Sequence, residues 1–372
     1  DIGGRLMFDA AAFDRPSEAE FLGKDTADGD AEIRRAWLDV SGTLYADYDY
    51  QLAVDFSGDT ATIKKAHIIF PELSRVGRIQ VGYFKPPFGL EQLGSSNYLT
   101  FMERSIVSDS LGPDRAVGIG VSNMFFDKRM TFSAAVLRGE GEDGEAFPEY
   151  GVRLTGLPWM AEGEDRYIHV GLAYLFANPD TDFRFRVRPE THLADRYLDT
   201  GDSAVDRADR YGLEGAFVWG PFSLQGEYQR VDLEPVQPAW TYSLQDIRRY
   251  MTDTRTVDGY YVQASYFLTG EHRPYKKSDG LFGRVRPARD VDWANKGWGA
   301  WEVALRLSEL DLQDCSGWPY LLGGSERDLT VGVNWYMTAH TRVMLNQVWA
   351  DFDDIGVDDT MRILQARVQI DF

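Results

Sequence analysis

The closing segment of the chain, 359–372, alternates without a break: Leu364, Ala366, Val368, Ile370 and Phe372 fall on one side of an extended backbone, Gln365, Arg367, Gln369 and Asp371 on the other. Successive side chains of a β-strand point to opposite faces, so a segment written this way has one apolar face and one face that needs water or polar partners. The same period recurs at about residues 2–13, 31–42, 45–56, 62–70, 77–85, 116–125, 130–138, 149–157, 167–176, 210–219, 221–232, 257–269, 297–307, 327–338 and 340–352. No helix-period segment, internal repeat or linker separates these strands, so the chain reads as one all-β domain over 1–372.

What the apolar faces meet is decided by composition. A soluble sandwich would pack them in a dry interior, as an extracellular binding or adhesion module does; a transmembrane barrel turns them to lipid and rings both interfaces with aromatic residues. The 21 Phe, 19 Tyr and 10 Trp favour the barrel. No run of about 18 apolar residues occurs, which excludes helical spans but not a barrel, whose alternation hides its membrane signal from mean hydropathy. A terminal aromatic such as Phe372 resembles the closing signal of outer-membrane barrels, and Asp1 reads as the opening of a mature strand from which a leader was removed.

An even strand count returns both ends to one rim, the periplasmic one in bacterial barrels, where connections are short. Ser41-Gly42-Thr43-Leu44, Phe126-Asp127-Lys128-Arg129, Gly220-Pro221 and Met337-Thr338-Ala339-His340 read as tight turns on that rim, and 14–30, 86–115, 177–209, 233–256 and 308–326 as long loops on the other. The exception is 270–296, a long basic connection on the short-turn rim carrying Arg273, Lys276, Lys277, Arg284, Arg286 and Arg289. Either it folds into the lumen or it is a solvated turn.

Several function classes are unsupported. A net charge of −20, from 59 acidic and 39 basic residues, is the wrong sign for a phosphate-backbone partner, so no nucleic acid is expected. The five histidines are scattered, without a Gly-x-Ser-x-Gly or paired-histidine zinc motif, so no enzyme is expected. Cys315 is alone and can form neither an internal disulfide nor a metal site. No cofactor is expected. The acidic run Gly139-Glu140-Gly141-Glu142-Asp143-Gly144-Glu145 reads as an exposed loop, and it and Asp351, Asp353, Asp354, Asp358 and Asp359 offer at most incidental Ca²⁺ ligands, the latter spacing fitting no EF-hand.

A series of short strings, in order along the chain, resembles the phosphate-selective porin O/P family of Gram-negative outer membranes. They are Gly3-Gly4-Arg5-Leu6, Ile33-Arg34-Arg35-Ala36-Trp37-Leu38, Phe88-Gly89-Leu90-Glu91, Ser95-Ser96, Glu103-Arg104, Gly259-Tyr260-Tyr261-Val262-Gln263, Leu268-Thr269-Gly270-Glu271, Gly299-Ala300-Trp301-Glu302 and Gly332-Val333-Asn334-Trp335-Tyr336. The resemblance implies a trimer of sixteen-stranded transmembrane antiparallel β-barrels in outer-membrane lipid and lipopolysaccharide. Each is narrowed by inward-folded constriction loops, the first over 86–115, and lined by an arginine ladder. Arg34, Arg35, Arg184 and Arg186 match the ladder best, with Arg188 beside them, and Ser95 and Ser96 match the central anion site. At that site the chain departs from the family: Gln92 stands where phosphate-selective members have a lysine, and Lys64 where they have an aspartate.

Such a pore needs fixed cations to offset the water an anion sheds in a constriction, spread so that no site traps it. Arginine keeps its charge and presents a planar fork of donors; hydroxyls add donors without deepening the well. Asp47, Asp49, Gln51 and Asp55 share one face of a strand, opposite Tyr48, Tyr50, Leu52, Val54 and Phe56, which places some acids on the inner wall too. The expectation is passive diffusion of small anions, phosphate-like or carboxylate; the alternative is a general or substrate-specific porin for uncharged or zwitterionic solutes such as sugars or peptides.

Overall fold

The computed structural model describes residues 1–14, 29–45, 47–71, 77–141, 144–179, 181–236, 253–316, 321–354 and 357–372. Sixteen antiparallel strands form its wall: β1 (Ile2–Asp14), β2 (Gly29–Leu44), β3 (Tyr48–Asp55), β4 (Thr62–Phe70), β5 (Arg78–Phe84), β6 (Ala116–Phe125), β7 (Met130–Glu140) and β8 (Ala146–Met160). Then come β9 (Arg166–Ala177), β10 (Ser203–Trp219), β11 (Phe222–Pro235), β12 (Arg255–Phe267), β13 (Ala300–Asp314), β14 (Leu321–Tyr336), β15 (Thr341–Asp354) and β16 (Val357–Asp371). Each pairs with its sequence neighbours, and β1 also pairs with β16, Arg5 opposite Asp371 and Asp14 opposite Arg362, so the sheet closes without an edge.

The two faces are inverted relative to a soluble protein. On β16, Gln365, Arg367 and Gln369 are at most 3% exposed, whereas Leu364, Val368 and Ile370 are 41–48% exposed. This rules out the sandwich, which would bury the second set. The polar face is inside, where loops and other polar side chains satisfy it; the apolar face is left for hydrocarbon.

The turns 126–129, 220–221 and 337–340 fall where the sequence places them. Ser41-Gly42-Thr43-Leu44 does not: these residues extend β2, paired from Ser41↔Gln51 to Leu44↔Tyr48, so the reversal comes after Leu44. Their polar side chains continue the ladder, with Thr43 Oγ1 donating to Asp49 at 2.7 Å. Segment 308–326 is also mostly strand, because β13 runs to Asp314 and β14 starts at Leu321. Above the apolar belt the alternation inverts: Leu310, Leu312 and Leu321 are buried in the lumen while Glu309 and Arg327 pair outside. The same holds for 203–209, which is strand β10 rather than loop. The acidic run begins inside β7, whose strand ends at Glu140. Residues 15–28 and 237–252, and positions 142 and 143, lie outside the described residues.

The lumen is largely filled. Segment 85–115, between β5 and β6, carries helices α1 (Leu90–Leu93) and α2 (Ile106–Ser110), the latter capped by Ser105 Oγ accepting from Ser108 N at 3.1 Å. Ile106, Val107 and Leu111 pack with Phe183, Phe185, Val187, Tyr197 and Leu198 of 178–202, and with inward residues such as Val231, Leu233 and Phe352 of the wall. Gly259 and Gly332 leave room for this: a Cβ would lie 2.9 Å from Val107 at the first and 3.1 Å from Phe101 at the second. The basic connection 270–296 also turns inward. Its hairpin, Tyr275–Lys276 against Leu281–Phe282, is held by Arg153 donating to the carbonyls of Asp279 (3.1 Å) and Gly280 (2.9 Å) and by Tyr167 donating to that of Arg273 (2.8 Å).

Wall side chains pin 85–115 by its own backbone. Gln369, Arg342, Asn334 and Arg306 donate to the carbonyls of Asn97 (3.3 Å), Leu99 (2.6 Å), Thr100 (2.8 Å) and Glu103 (3.2 Å), and Arg367 to that of Met102. Glu227 accepts from the amides of Leu90 (2.9 Å) and Glu91 (2.7 Å). Glu103 then gathers Arg34 (2.9 Å), Arg35 (3.4 Å) and Arg367 (2.5 Å). Burial alone would raise the Glu103 carboxyl; Arg34, Arg35 and Arg367 outweigh it and hold the group well below the ordinary carboxylate range.

Two outcomes follow. Leu305, half-exposed near the middle of β13, faces hydrocarbon, so Leu305→Arg should cost about 2–4 kcal/mol in denaturant unfolding from lipid vesicles. Glu103→Gln leaves clustered guanidiniums undercompensated and should lower stability by about 3 kcal/mol and raise single-channel conductance as the loop loosens. Because the Glu103 pKa is depressed on folding, its stabilisation is present above the unfolded value of about 4.3 and is lost only as pH falls through the lower folded value. The native channel should therefore show an acid-induced conductance step below that range that Glu103→Gln lacks.

Candidate functional site

The space left in the lumen is a cavity of about 690 Å³ bounded by β1–β8, by the 85–104 part of the constriction segment with Arg115, and by the hairpin at 276–282. It is off-centre because the 85–115 segment is pinned by its backbone to β11 and β13–β16. Its lining carries eleven basic side chains, Arg5, Arg34, Arg35, Lys64, Lys65, Arg78, Lys85, Arg104, Arg115, Arg153 and Lys276, against three carboxylates, Asp39, Asp55 and Asp279.

Local strand geometry produces that density. Strict alternation would send one of two successive residues to lipid, yet Arg34 and Arg35 both line the cavity, as do Lys64 and Lys65. Both pairs sit at β-bulges. In β1–β2, Met7 pairs with Arg35 and Phe8 with Ile33, which skips Arg34; in β3–β4, Ala53 pairs with Lys65 and Val54 with Ile63, which skips Lys64. An extra residue on one strand re-aims its side chain, and here it turns a second cation inward each time.

The lining cations differ in how far they are compensated. Lys64 faces Asp55 and Lys65 faces Asp39, each at 3.8 Å, and Arg78 faces Asp279 at 3.6 Å. Arg5, Lys85, Arg104 and Arg115 have no ion-pair partner among the described residues. Arg5 donates to Ser96 Oγ at 2.7 Å and stacks over Trp37 at 4.3 Å, with Arg115 near the same ring at 5.8 Å. Arg104 donates to the carbonyls of Glu91 and Gly94, both at 3.0 Å, and Lys85 to that of Gln92. Burial first, then Arg104, Arg115, Arg35 and Lys65, pull the Lys85 ammonium well below the ordinary lysine value. Burial and Arg104 likewise bring Arg115 down to about 10, still a cation at neutral pH. An anion entering the cavity relieves that repulsion directly.

Of the residues singled out from sequence, Arg34, Arg35, Lys64, Ser95 and Ser96 come together around the cavity. Gln92 does not line it: its amide donates to the Pro113 carbonyl at 2.9 Å, so the side chain is used inside the loop. Arg184, Arg186 and Arg188 are also absent from the lining. They belong to 178–202, where Arg184 is paired with Asp199 and, at 3.4 Å, Asp202, and Arg186 sits in the short pairing Arg186↔Asp199. Missed from sequence were Arg5, Lys65, Arg78, Lys85, Arg104, Arg115 and Arg153. For Lys65 the signal was available, since two successive lysines in an alternating strand require a bulge or a charge in lipid; for the loop residues none was. The second basic cluster contributes Lys276, while Arg273 lies over Phe282 at 4.0 Å and Arg284 pairs with Asp371.

Comparison with known proteins places these features. The family described as phosphate-selective porin O and P matches residues 1–372. Porin O of Pseudomonas aeruginosa is 28% identical, over 96% of this chain and 85% of that protein, and an uncharacterized protein of Caulobacter vibrioides is 26% identical, over 99% and 73%. Among solved structures, the anion-selective porin from Comamonas acidovorans superposes with a TM-score of 0.58 at 12% identity, covering 100% of this chain and 99% of that one. OmpT of Vibrio cholerae, an outer membrane protein, gives 0.59 at 12% identity, covering 100% and 97%. At such identities the structures speak for the fold, and the whole-length family match for the rest: the chain belongs to the phosphate-selective porin O and P family and is a porin of the Gram-negative outer membrane.

Proposed function

We propose that this porin is an anion-selective diffusion channel whose permeation path is the cavity along β1–β8. The carrying observation is the local charge: eleven basic side chains against three carboxylates in the lining of a chain whose net charge is −20. Within a screening length of about 8 Å an ion feels the wall it passes, and this wall favours anions. Arg5, Lys64, Lys65, Lys85, Arg104 and Arg115, with the hydroxyls of Ser95 and Ser96, are the groups that meet the solute. Arg34 and Arg35 contribute mainly through field, since Glu103 holds both.

The reading for uncharged or zwitterionic cargo would need acids and bases in comparable number along the path, and this lining does not provide them. The name of the family and the anion-selective Comamonas porin point the same way, and the trimer form of OmpT supports a homotrimer here. The exposed apolar wall meets outer-membrane lipid, with lipopolysaccharide at the long-loop rim.

Reversal potentials in a potassium chloride gradient across a planar bilayer test the proposal. They should show chloride preferred over potassium, and a cation-preferring channel would sink the reading. Lys64→Gln with Lys65→Gln should reduce the chloride preference severalfold at low salt, with the effect shrinking as ionic strength approaches 1 M, where the screening length is about 3 Å.

A further inference from the structure

Resting on the anion-channel reading and deepening it, we propose that the cavity accepts fully ionised divalent oxyanions, sulfate as readily as phosphate, because every carboxylate in its lining already faces a cation of the wall and none is left as a free anionic acceptor for a solute O–H. Monohydrogen phosphate and sulfate share charge and tetrahedral shape and differ by one O–H. A site separates them by presenting a charged acceptor, which gains a hydrogen bond from the protonated anion and repels the one without a proton.

Each lining carboxylate already faces a cation. Asp55 Oδ1 accepts from Ala36 N (3.1 Å), Ser57 N (3.1 Å) and Ser57 Oγ (2.8 Å), and its Oδ2 faces the Lys64 ammonium at 3.8 Å. Both oxygens of Asp39 accept from Gln51 Nε2 (3.0 and 2.8 Å), and one faces Lys65 at 3.8 Å. Asp279 is held between Lys276 at 2.5 Å and Arg78 at 3.6 Å. The remaining acceptors in the lining are neutral: amides such as Gln80, the serine hydroxyls, and His67, whose Nδ1 faces the Tyr83 carbonyl at 3.4 Å. Hydroxyls rotate to serve either anion, and neutral amides do not repel a dianion. The donors that remain open, on Arg5, Lys85, Arg104 and Arg115, bind any oxygen alike.

The test uses the wild-type channel in a planar bilayer, with chloride current titrated by sodium sulfate and by sodium phosphate at a pH where phosphate is the monoprotonated dianion. Half-blocking concentrations should agree within a factor of about three, or favour sulfate. Any larger preference for phosphate overturns the proposal, a tenfold one amounting to about 1.4 kcal/mol of proton-dependent recognition. On acidification, phosphate block should weaken as the monoanion forms while sulfate block holds; strengthening of phosphate block would count against it. Lys64→Asp, which introduces an acceptor facing no cation, should shift the sulfate-to-phosphate ratio about tenfold toward phosphate, whereas Arg115→Gln, which removes a lining cation paired with no carboxylate among the described residues, should weaken both equally; an unchanged ratio in Lys64→Asp overturns the proposal. Cation-preferring reversal potentials with no block by either salt would instead bring down the anion-channel reading itself, and this proposal with it.

Discussion

Five side chains on one wall of the barrel donate to the backbone carbonyls of a single loop, and the position of the pore follows from that. Gln369, Arg342, Asn334, Arg367 and Arg306 take the carbonyls of residues 97, 99, 100, 102 and 103. A loop drawn through a lumen has carbonyls that neither a sheet nor bulk solvent satisfies, and each left bare would cost a few kcal/mol. Because the donors stand on consecutive strands β13–β16, the loop is pressed to that side and the open space is left along β1–β8. Were the donors spread evenly around the wall, the loop would lie across the middle and divide the lumen.

The two halves of the interior handle charge differently. Where the loops are packed, several cations are matched by acids: Arg306 with Glu91 and Glu190, and Arg367 with Asp9 and Glu103. Those buried ions are tolerable because each of them has a partner in reach. Along the open half the basic residues outnumber the acids, and four have no ionic partner among the described residues. The overall charge of −20 therefore says little about selectivity.

The strand pattern was legible because lipid imposes it. Wherever a strand crosses the apolar belt, one face must be hydrophobic, and all sixteen strands can be found that way. The outer ends of β10, β13 and β14 were not legible, because there the wall faces water outside and packed loops inside, so Leu310, Leu312 and Val205 point inward and the pattern reverses. The site was only half legible. Arg34, Arg35 and Lys64 could be picked out as strand residues near a resemblance, but Gln92 and Arg184 show why loops resist such reading: whether a loop side chain faces the pore or ties the loop together depends on contacts with Pro113 or Asp199 that no periodicity encodes.

The bulges connect selectivity to throughput. A regular strand offers one inward residue per roughly 6.6 Å of length, which would give a sparse ladder of single cations. Adding a bulge at Arg34 and another at Lys64 doubles the charge at those levels, and doubled like charges both repel each other and bind an anion too tightly to release it. At both levels the structure places carboxylates against the pair: Glu103 behind Arg34 and Arg35, and Asp55 and Asp39 beside Lys64 and Lys65. Those acids make the pairs tolerable and shallow the well at the same time. On the proposed path an anion would meet donors in close succession, the paired ones softened by these acids, and a wall that binds without trapping is one that conducts.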